Sequence, residues 1–150
     1  MRLTEKINDD MKAALKGGRK TELETLRTIR AAILEVEKKK IGTVLGEDDE
    51  LAVLTAAAKK RREAIESYSS AGRHDLAEQE KAELEVIIRY LPQQLTSEEL
   101  EALAKEAIAA AGAADMKDFG KVMGPLMKSV KGRADGAAVQ AMIRRLLGGA

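Results

Sequence analysis

The spacing of apolar residues along the chain predicts helices throughout. Apolar side chains recur every three to four positions, as at Leu26, Ile29, Ile33 and Val36, which is the period of an α-helix with one buried face. Ala, Leu, Glu, Lys and Arg, which favour helices, dominate the composition, and no run alternates in the manner of a strand. The pattern therefore predicts an all-α protein.

Capping residues, glycines and prolines divide this pattern into seven helices. Gly17 and Gly18 end the first helix, and Thr96 with Glu99 has the spacing of a capping box at the start of the fifth. The predicted helices begin near residues 3, 21, 48, 75, 97, 115 and 135.

Pro92 marks the clearest boundary in the chain. A proline disfavours the helical conformation at the preceding residue, here Leu91, and the polar segment after it ends at a new helix cap. We therefore expect an N-terminal subdomain of four helices over residues 1–92 and a C-terminal bundle of three helices over residues 93–150.

Positive charge is concentrated at the C-terminal end of a nearly neutral chain. The formal net charge is +1, and residues 1–92 contain 18 Lys or Arg and 18 Asp or Glu. Residues 116–150 contain seven Lys or Arg and two Asp, a net charge of +5. This asymmetry is typical of a surface for an anionic partner, and an ordinary solvated helix face is the alternative.

The composition argues against several classes of function. Without cysteine there is no disulfide, no thiolate zinc site and no cysteine nucleophile. The single histidine, His74, lies in the polar segment "GRHD", and neither a phosphate-binding loop nor an acidic cluster suited to Mg²⁺ is present. The N-terminus does not resemble a signal peptide, and no apolar run is long enough to span a membrane. We expect a cytoplasmic protein with no catalytic residue, metal or cofactor of its own.

Residues 115–136, "DMKDFGKVMGPLMKSVKGRADG", combine apolar and basic positions in an ordered way. On a helical projection Lys117, Lys121 and Lys128 share a narrow arc, and Gly120 and Gly124 lie between that arc and an apolar sector. The predicted apolar sector contains Met116, Phe119, Met123, Leu126, Met127 and Val130.

Two glycines inside one short helix need a physical reason. Each costs about 1 kcal/mol of helix stability relative to alanine. One explanation is that the backbone of a neighbouring helix packs closely against the bare strip, and the other is that a ligand backbone approaches it. Pro125 faces away from the apolar sector and should kink the helix.

The segment "KGRADG" predicts a basic turn that leads into the N-terminus of the last helix, and such an arrangement suits phosphate. Cations of the last helix would add to it. The candidate nucleic-acid-binding residues are Lys117, Gly120, Lys121, Gly124, Lys128, Lys131, Gly132, Arg133, Arg144 and Arg145.

A second basic segment, "KKRR" at residues 59–62, has a different expected role. Arg61 and Arg62 flank the apolar face of the third helix, whereas Lys59 and Lys60 point away from it. Arginines in that position extend along the edge of a core and pair with carboxylates, here Glu83 or Glu85. Because aromatic residues make up 2% of the chain, we expect any RNA contact to be made to the backbone and shape of a folded RNA.

The C-terminal motif also resembles a known family. The segment "GKVMGPLMKSVKGRADG" is similar to the signature shared by the YqeY-like family and the tail of the GatB subunit of glutamyl-tRNA(Gln)/aspartyl-tRNA(Asn) amidotransferase. "KKRREAIESY", "AGRHDLAEQEKAELEVI" and "YLPQQLT" resemble further segments of that family in the same order. The likeness covers nearly the whole chain, although Pro125 is less typical of the motif.

The resemblance implies an all-helical protein whose C-terminal three-helix part is like the GatB tail, which contacts tRNA apart from the catalytic chemistry. The expected function is that of an accessory tRNA-binding protein. One alternative is a component of tRNA-dependent amidation, a carbon–nitrogen ligase reaction with glutamine as amido donor. It would act with separate catalytic subunits, and amidotransferase or synthetase components would be its partners. The other alternative is a helical protein-interaction module.

Overall fold

The computed structural model describes residues 2–40 and 45–148. All regular secondary structure in those residues is helical, with no strand, which confirms the all-α prediction. The elements are α1 (Leu3–Gly17), α2 (Lys20–Lys39), α3 (Glu47–Ser70), α4 (His74–Ile88), α5 (Ser97–Ala111), a 3₁₀ turn (Met116–Asp118), α6 (Phe119–Ser129) and α7 (Gly136–Gly148).

The chain divides into two compact units, Met1–Pro92 and Gln93–Ala150. In the first unit α3 packs most extensively on α4, and α1 packs on α2. Aliphatic side chains from these helices and from Leu45 form its core. Its buried members are Ile7, Leu26, Ile29, Ile33, Leu45, Val53, Leu54, Ala58, Val86 and Ile87.

A polar contact fixes the segment after α4 to α1 within the first unit. The Tyr90 hydroxyl donates a hydrogen bond to the Asp10 carboxylate, and the Lys6 ammonium lies 5.3 Å from the centre of the Tyr90 ring. Burial, followed by the Asp10 carboxylate, raises the pKa of Tyr90 well above its usual range. The hydroxyl therefore remains a neutral donor, and Tyr90 acts as a structural anchor.

In the second unit α5, α6 and α7 each contact the other two. Their apolar faces meet in a separate core whose buried members are Leu100, Ala104, Val122, Leu126, Val130, Val139 and Ile143. The Thr96 hydroxyl oxygen accepts a hydrogen bond of 3.1 Å from the backbone N–H of Glu99, which confirms the predicted cap of α5.

Two predicted helix starts need correction. Thr21 does not cap α2, because the helix already begins at Lys20 and the Thr21 carbonyl accepts a bond from the Thr25 hydroxyl. Asp115 accepts a hydrogen bond from the backbone N–H of Lys117, but the element that it starts is the 3₁₀ turn. The α-helix proper begins four residues later, at Phe119.

Candidate nucleic-acid interface

The buried face of α6 is centred on Val122, Leu126 and Val130, which recur every four residues and are almost fully buried. The sequence projection placed Met116 and Met127 in the apolar sector, yet 43% of Met116 and 36% of Met127 is exposed. Met116 lies in the 3₁₀ turn, where each residue advances the chain by about 120° rather than 100°, so one α-helical projection does not describe it. The spacing of Val122, Leu126 and Val130 is the signal that would have found the true core face.

Lysines occupy the opposite, solvent-facing part of this region. Lys121 and Lys128 are seven residues apart in α6, so they point in nearly the same direction, about 10 Å apart along the helix axis. Lys117 is exposed in the preceding 3₁₀ turn. The Lys121 ammonium lies 3.6 Å from Asp118 Oδ1 with 73% of its side chain exposed, and such a surface pair contributes below about 1 kcal/mol. All three lysines therefore remain accessible to an anionic partner.

The glycine strip of α6 is open. Gly120 and Gly124 are exposed, and a Cβ atom built on either would meet no heavy atom of the described residues within 4 Å, apart from its chain neighbours and the backbone of its own helix. Neither has a positive φ, so a left-handed conformation is not the reason for either glycine. Gly124 precedes Pro125, however, and a residue with a Cβ is disfavoured in a helix at that position. Close packing of a neighbouring helix, one of the two explanations for these glycines, is therefore wrong. The approach of a ligand, the other explanation, stays a prediction.

Pro125 weakens the same exposed side of α6. It lies inside the helix and is exposed, and its ring nitrogen cannot donate to the Lys121 carbonyl, the usual acceptor four residues earlier. Gly120, Gly124 and Pro125 thus place three poor helix formers among the eleven residues of α6, all on its solvent side.

The turn between α6 and α7 is held by hydrogen bonds from the segment before α5. Gly132 is buried with φ of +75°, and its carbonyl accepts a bond of 2.7 Å from Gln94 Nε2. Arg133 donates from Nε to the Gln93 carbonyl at 3.1 Å, while its own carbonyl accepts from the backbone N–H of Leu95. Gly132 and Arg133 therefore have structural roles in this turn, and the Lys131 side chain beside them is exposed.

The two arginines of α7 point to different neighbours. The Arg144 guanidinium lies 5.4 Å from the centre of the Phe119 ring, and this cation–π contact brings its charge next to the start of α6. Arg145 instead donates to Glu101 Oε1 of α5 at 3.0 Å, and this bond lowers the pKa of the Glu101 carboxyl. The structure thus places Arg144 beside Phe119, at the start of α6, and Arg145 beside Glu101 of α5.

We define the α6 cationic surface as the exposed lysines and glycines of α6 and of the turn before it: Lys117, Gly120, Lys121, Gly124 and Lys128. Arg144 contacts Phe119, which packs against the core, and it is not counted in this surface. The contact between Phe119 and Arg144 was not anticipated from the sequence, because the two residues are far apart along the chain and no local spacing relates them.

The second basic segment behaves as expected. Arg61 is only 7% exposed, and its Nη2 lies 3.7 Å from Glu83 Oε1 of α4, which confirms the predicted pairing along the edge of the core. Burial, followed by the nearby Glu80, raises the pKa of Glu83 although Arg61 acts in the opposite direction. Lys59 and Lys60 are exposed.

Two further features bear on chemistry. Among residues 2–40 and 45–148, no group of three or more histidine, aspartate or glutamate side chains is arranged to hold a metal ion. Every helix in that part of the chain is too short or too polar to traverse a lipid bilayer.

Comparisons with known proteins agree with the resemblance of the motifs. A family model described as "Yqey-like protein" matches residues 4–147. The chain is also 33% identical, over 150 residues, to the altered inheritance of mitochondria protein 41, mitochondrial, of Pyrenophora tritici-repentis. That alignment covers 95% of this chain and 80% of the relative. The chain therefore belongs to the YqeY-like family.

Proposed function

We propose that this protein is an accessory protein that binds folded RNA of the tRNA class through the α6 cationic surface. The observation that carries the proposal is the open glycine strip, because Gly120 and Gly124 weaken α6 although nothing in the described chain packs against them. Such a strip would be retained if a sugar–phosphate backbone has to approach the helix closely.

The charges around the strip suit this partner. Lys117, Lys121 and Lys128 are exposed around it, and lysine ammonium groups bind phosphates without requiring one fixed geometry. Release of counterions from three neutralised phosphates would make log K fall with log salt with a slope of about −3 for a double helix. The sequence likeness of the C-terminal part to the GatB tail, which contacts tRNA, supports the same partner.

A binding titration tests the proposal. We expect unfractionated tRNA to bind at low salt, and Lys121→Glu combined with Lys128→Glu to weaken binding at least tenfold and to flatten the salt dependence by about two units of slope. Lys12→Glu, which reverses an exposed lysine of α1, is the matched control and should change affinity less than about twofold. Absence of tRNA binding at low salt, or equal losses in both variants, would refute the proposal.

A protein-interaction role is the second candidate, because the exposed Met127 lies directly beside Lys128 on α6. An exposed methionine beside a bare strip can accommodate an apolar partner surface. Affinity purification with and without nuclease separates the two candidates. RNA that is lost with nuclease supports the first, and a defined protein that survives nuclease and is released by Met127→Glu supports the second.

A further inference from the structure

A groove of about 350 Å³ lies between α2 and α3 in the first unit, distant in sequence from the α6 cationic surface. α3 packs more extensively on α4 than on α2, and the groove lies along the side where α2 and α3 are less closely packed. Its apolar walls are formed by Ile29, Ala32 and Val36 on α2 and by Val53, Ala56 and Ala57 on α3.

The walls of this groove are suited to a helix. Its alanines Ala32, Ala56 and Ala57 have short side chains, and each is partly or fully accessible. Small residues allow the backbone of another helix to approach closely, and an amphipathic helix that lies in an apolar groove is a common mode of recognition. On α2 the lining residues run from Thr28 to Lys39, which is about 16 Å or three turns.

The polar residues of the groove are mostly cationic. Lys39 lies at the end of the wall that α2 forms, and Lys60 and Arg61 lie at the end of the wall that α3 forms. Among the described residues that line the groove, Glu35 is the only acidic one. Lys39 and Lys60 are exposed, so their ammonium groups can pair with carboxylates of an incoming chain. The charge of the groove therefore complements an acidic partner.

Arg61 gives an independent reason to expect an acidic group there. Its Nε is buried and has no hydrogen-bond partner among the described residues, and its Nη2 meets Glu83 only at 3.7 Å. A buried guanidinium normally has more of its donors satisfied, so its charge is incompletely compensated. A further carboxylate held over this end of the groove would improve the compensation.

From these observations we propose that the α2–α3 groove docks an acidic amphipathic helix of a partner protein. Aliphatic side chains of that helix would contact the alanines, and carboxylates toward its ends would pair with Lys39 and Lys60. The proposal is independent of RNA binding by α6, because it rests on different residues in the other unit.

Selection from a displayed library of 14-residue helical peptides, with the full chain as the target, tests this proposal. We expect the enriched peptides to be acidic and to have aliphatic residues at helical spacing. Each selected peptide is then titrated by fluorescence anisotropy. Lys39→Glu or Lys60→Glu should weaken binding about fivefold, the size expected for reversing one exposed charge at an interface. Ala56→Trp, which fills the groove, should weaken it at least tenfold.

The chain offers matched controls for both lysines. Lys38 and Lys59 are exposed neighbours of Lys39 and Lys60 that do not line the groove, so Lys38→Glu and Lys59→Glu should leave affinity within about twofold. Circular dichroism melting of each variant identifies any that has lost the fold.

Three results would overturn the proposal. The first is that no peptide binds more tightly than about 100 µM, which is weaker than most specific complexes. The second is that the enriched peptides are not acidic, or that they lose as much affinity in the Lys59→Glu variant as in Lys60→Glu. The third is that Lys60→Glu weakens tRNA binding and leaves peptide binding unchanged, because the cations of the groove would then serve RNA.

Discussion

The two basic regions of the chain use similar residues in opposite ways. In the segment at residues 59–62, Arg61 is almost fully buried and pairs with Glu83 of the next helix. On the α6 cationic surface, Lys121 is largely exposed and only loosely paired with Asp118. The difference follows from where each cation lies relative to the apolar face of its helix. A cluster of positive charge is therefore accessible to a partner only where it lies away from the apolar face of its helix.

The strongest test of this contrast removes the buried arginine. We expect Arg61→Ala to lower the free energy of unfolding by about 2–3 kcal/mol, because the packed stem is lost and Glu83 is left partly buried without its cation. Arg61→Met keeps most of the packed stem but still leaves Glu83 without its cation, so it should recover only part of that loss. Urea unfolding measures both. If Arg61→Ala unfolds like the wild type, Arg61 is not a structural residue.

The glycines of the second unit provide the next test. Gly120→Ala should raise the free energy of unfolding by less than about 1 kcal/mol, since it lies in the first turn of α6. Gly124→Ala should raise it by less than a typical helix interior allows, because Pro125 disfavours the helical conformation of a preceding residue with a Cβ. The same variants should weaken tRNA binding, so that stability and affinity change in opposite directions. The measurements are urea unfolding and a tRNA titration.

Gly112 is the matched control for this test. It also has open space around it, but its φ is +64°, so Gly112→Ala should destabilise the protein by about 1 kcal/mol without affecting tRNA binding. A Gly124→Ala variant that binds tRNA as well as the wild type would leave the open strip without its proposed purpose.

Stability should depend on pH in opposite ways at two carboxylates, Glu83 of the first unit and Glu101 of the second. Burial raises the pKa of Glu83, so ionising its carboxylate lowers the free energy of unfolding. This loss of stability is absent at a pH below the unfolded-state pKa and is complete at a pH above the folded-state pKa. We expect the wild type to lose stability as the pH rises through the raised pKa, and Glu83→Gln to lack this pH-dependent loss. The variant also leaves the Arg61 guanidinium without its carboxylate, which lowers its stability at every pH. Unfolding curves from pH 4 to pH 7 measure the pH-dependent loss.

Glu101 should behave with the opposite sign. The hydrogen bond from Arg145 lowers its pKa, so ionised Glu101 stabilises the fold above the unfolded-state pKa, and this contribution is lost as the pH falls through the folded-state pKa. Glu101→Gln should therefore be less stable than the wild type at pH 7 and equal to it in acid. Equal pH profiles for the two variants would contradict the assigned environments.

The smallest expected effect belongs to Lys121. Lys121→Ala removes one exposed ion pair and should change the free energy of unfolding by less than about 0.5 kcal/mol. A loss of stability comparable to that of Arg61→Ala would show that the two basic regions do not differ in the way described.

The features of the fold and of the candidate site that could be predicted are those that depend on residues close together in the sequence. The cap at Thr96 and the position of Arg61 beside an apolar face depend on neighbours within a few residues, and both predictions are confirmed. The face of α6 was misplaced because the projection took Met116 and Met127 as buried and left out Val122. Met116 belongs to a 3₁₀ turn, which the sequence does not distinguish from a first turn of α-helix.

The partners of the C-terminal arginines could not be predicted in the same way. Arg133 bonds to Gln93 and Arg145 to Glu101, each about forty residues away, and such pairs depend on how helices pack. The openness of Gly120 and Gly124 is likewise a tertiary property, since the sequence is compatible with close packing as well as with an accessible strip.

The hydrogen bonds between the segment at residues 93–95 and the turn at Gly132 and Arg133 set a practical limit on dissecting this protein. A fragment that starts at Ser97 would keep α5, α6 and α7 complete, yet it would lack the donors of Gln94 and Leu95 and the carbonyl of Gln93. The turn that carries Lys131 would then lose the hydrogen bonds that hold it in place. A C-terminal fragment intended to reproduce the behaviour of the whole protein has to begin no later than Gln93.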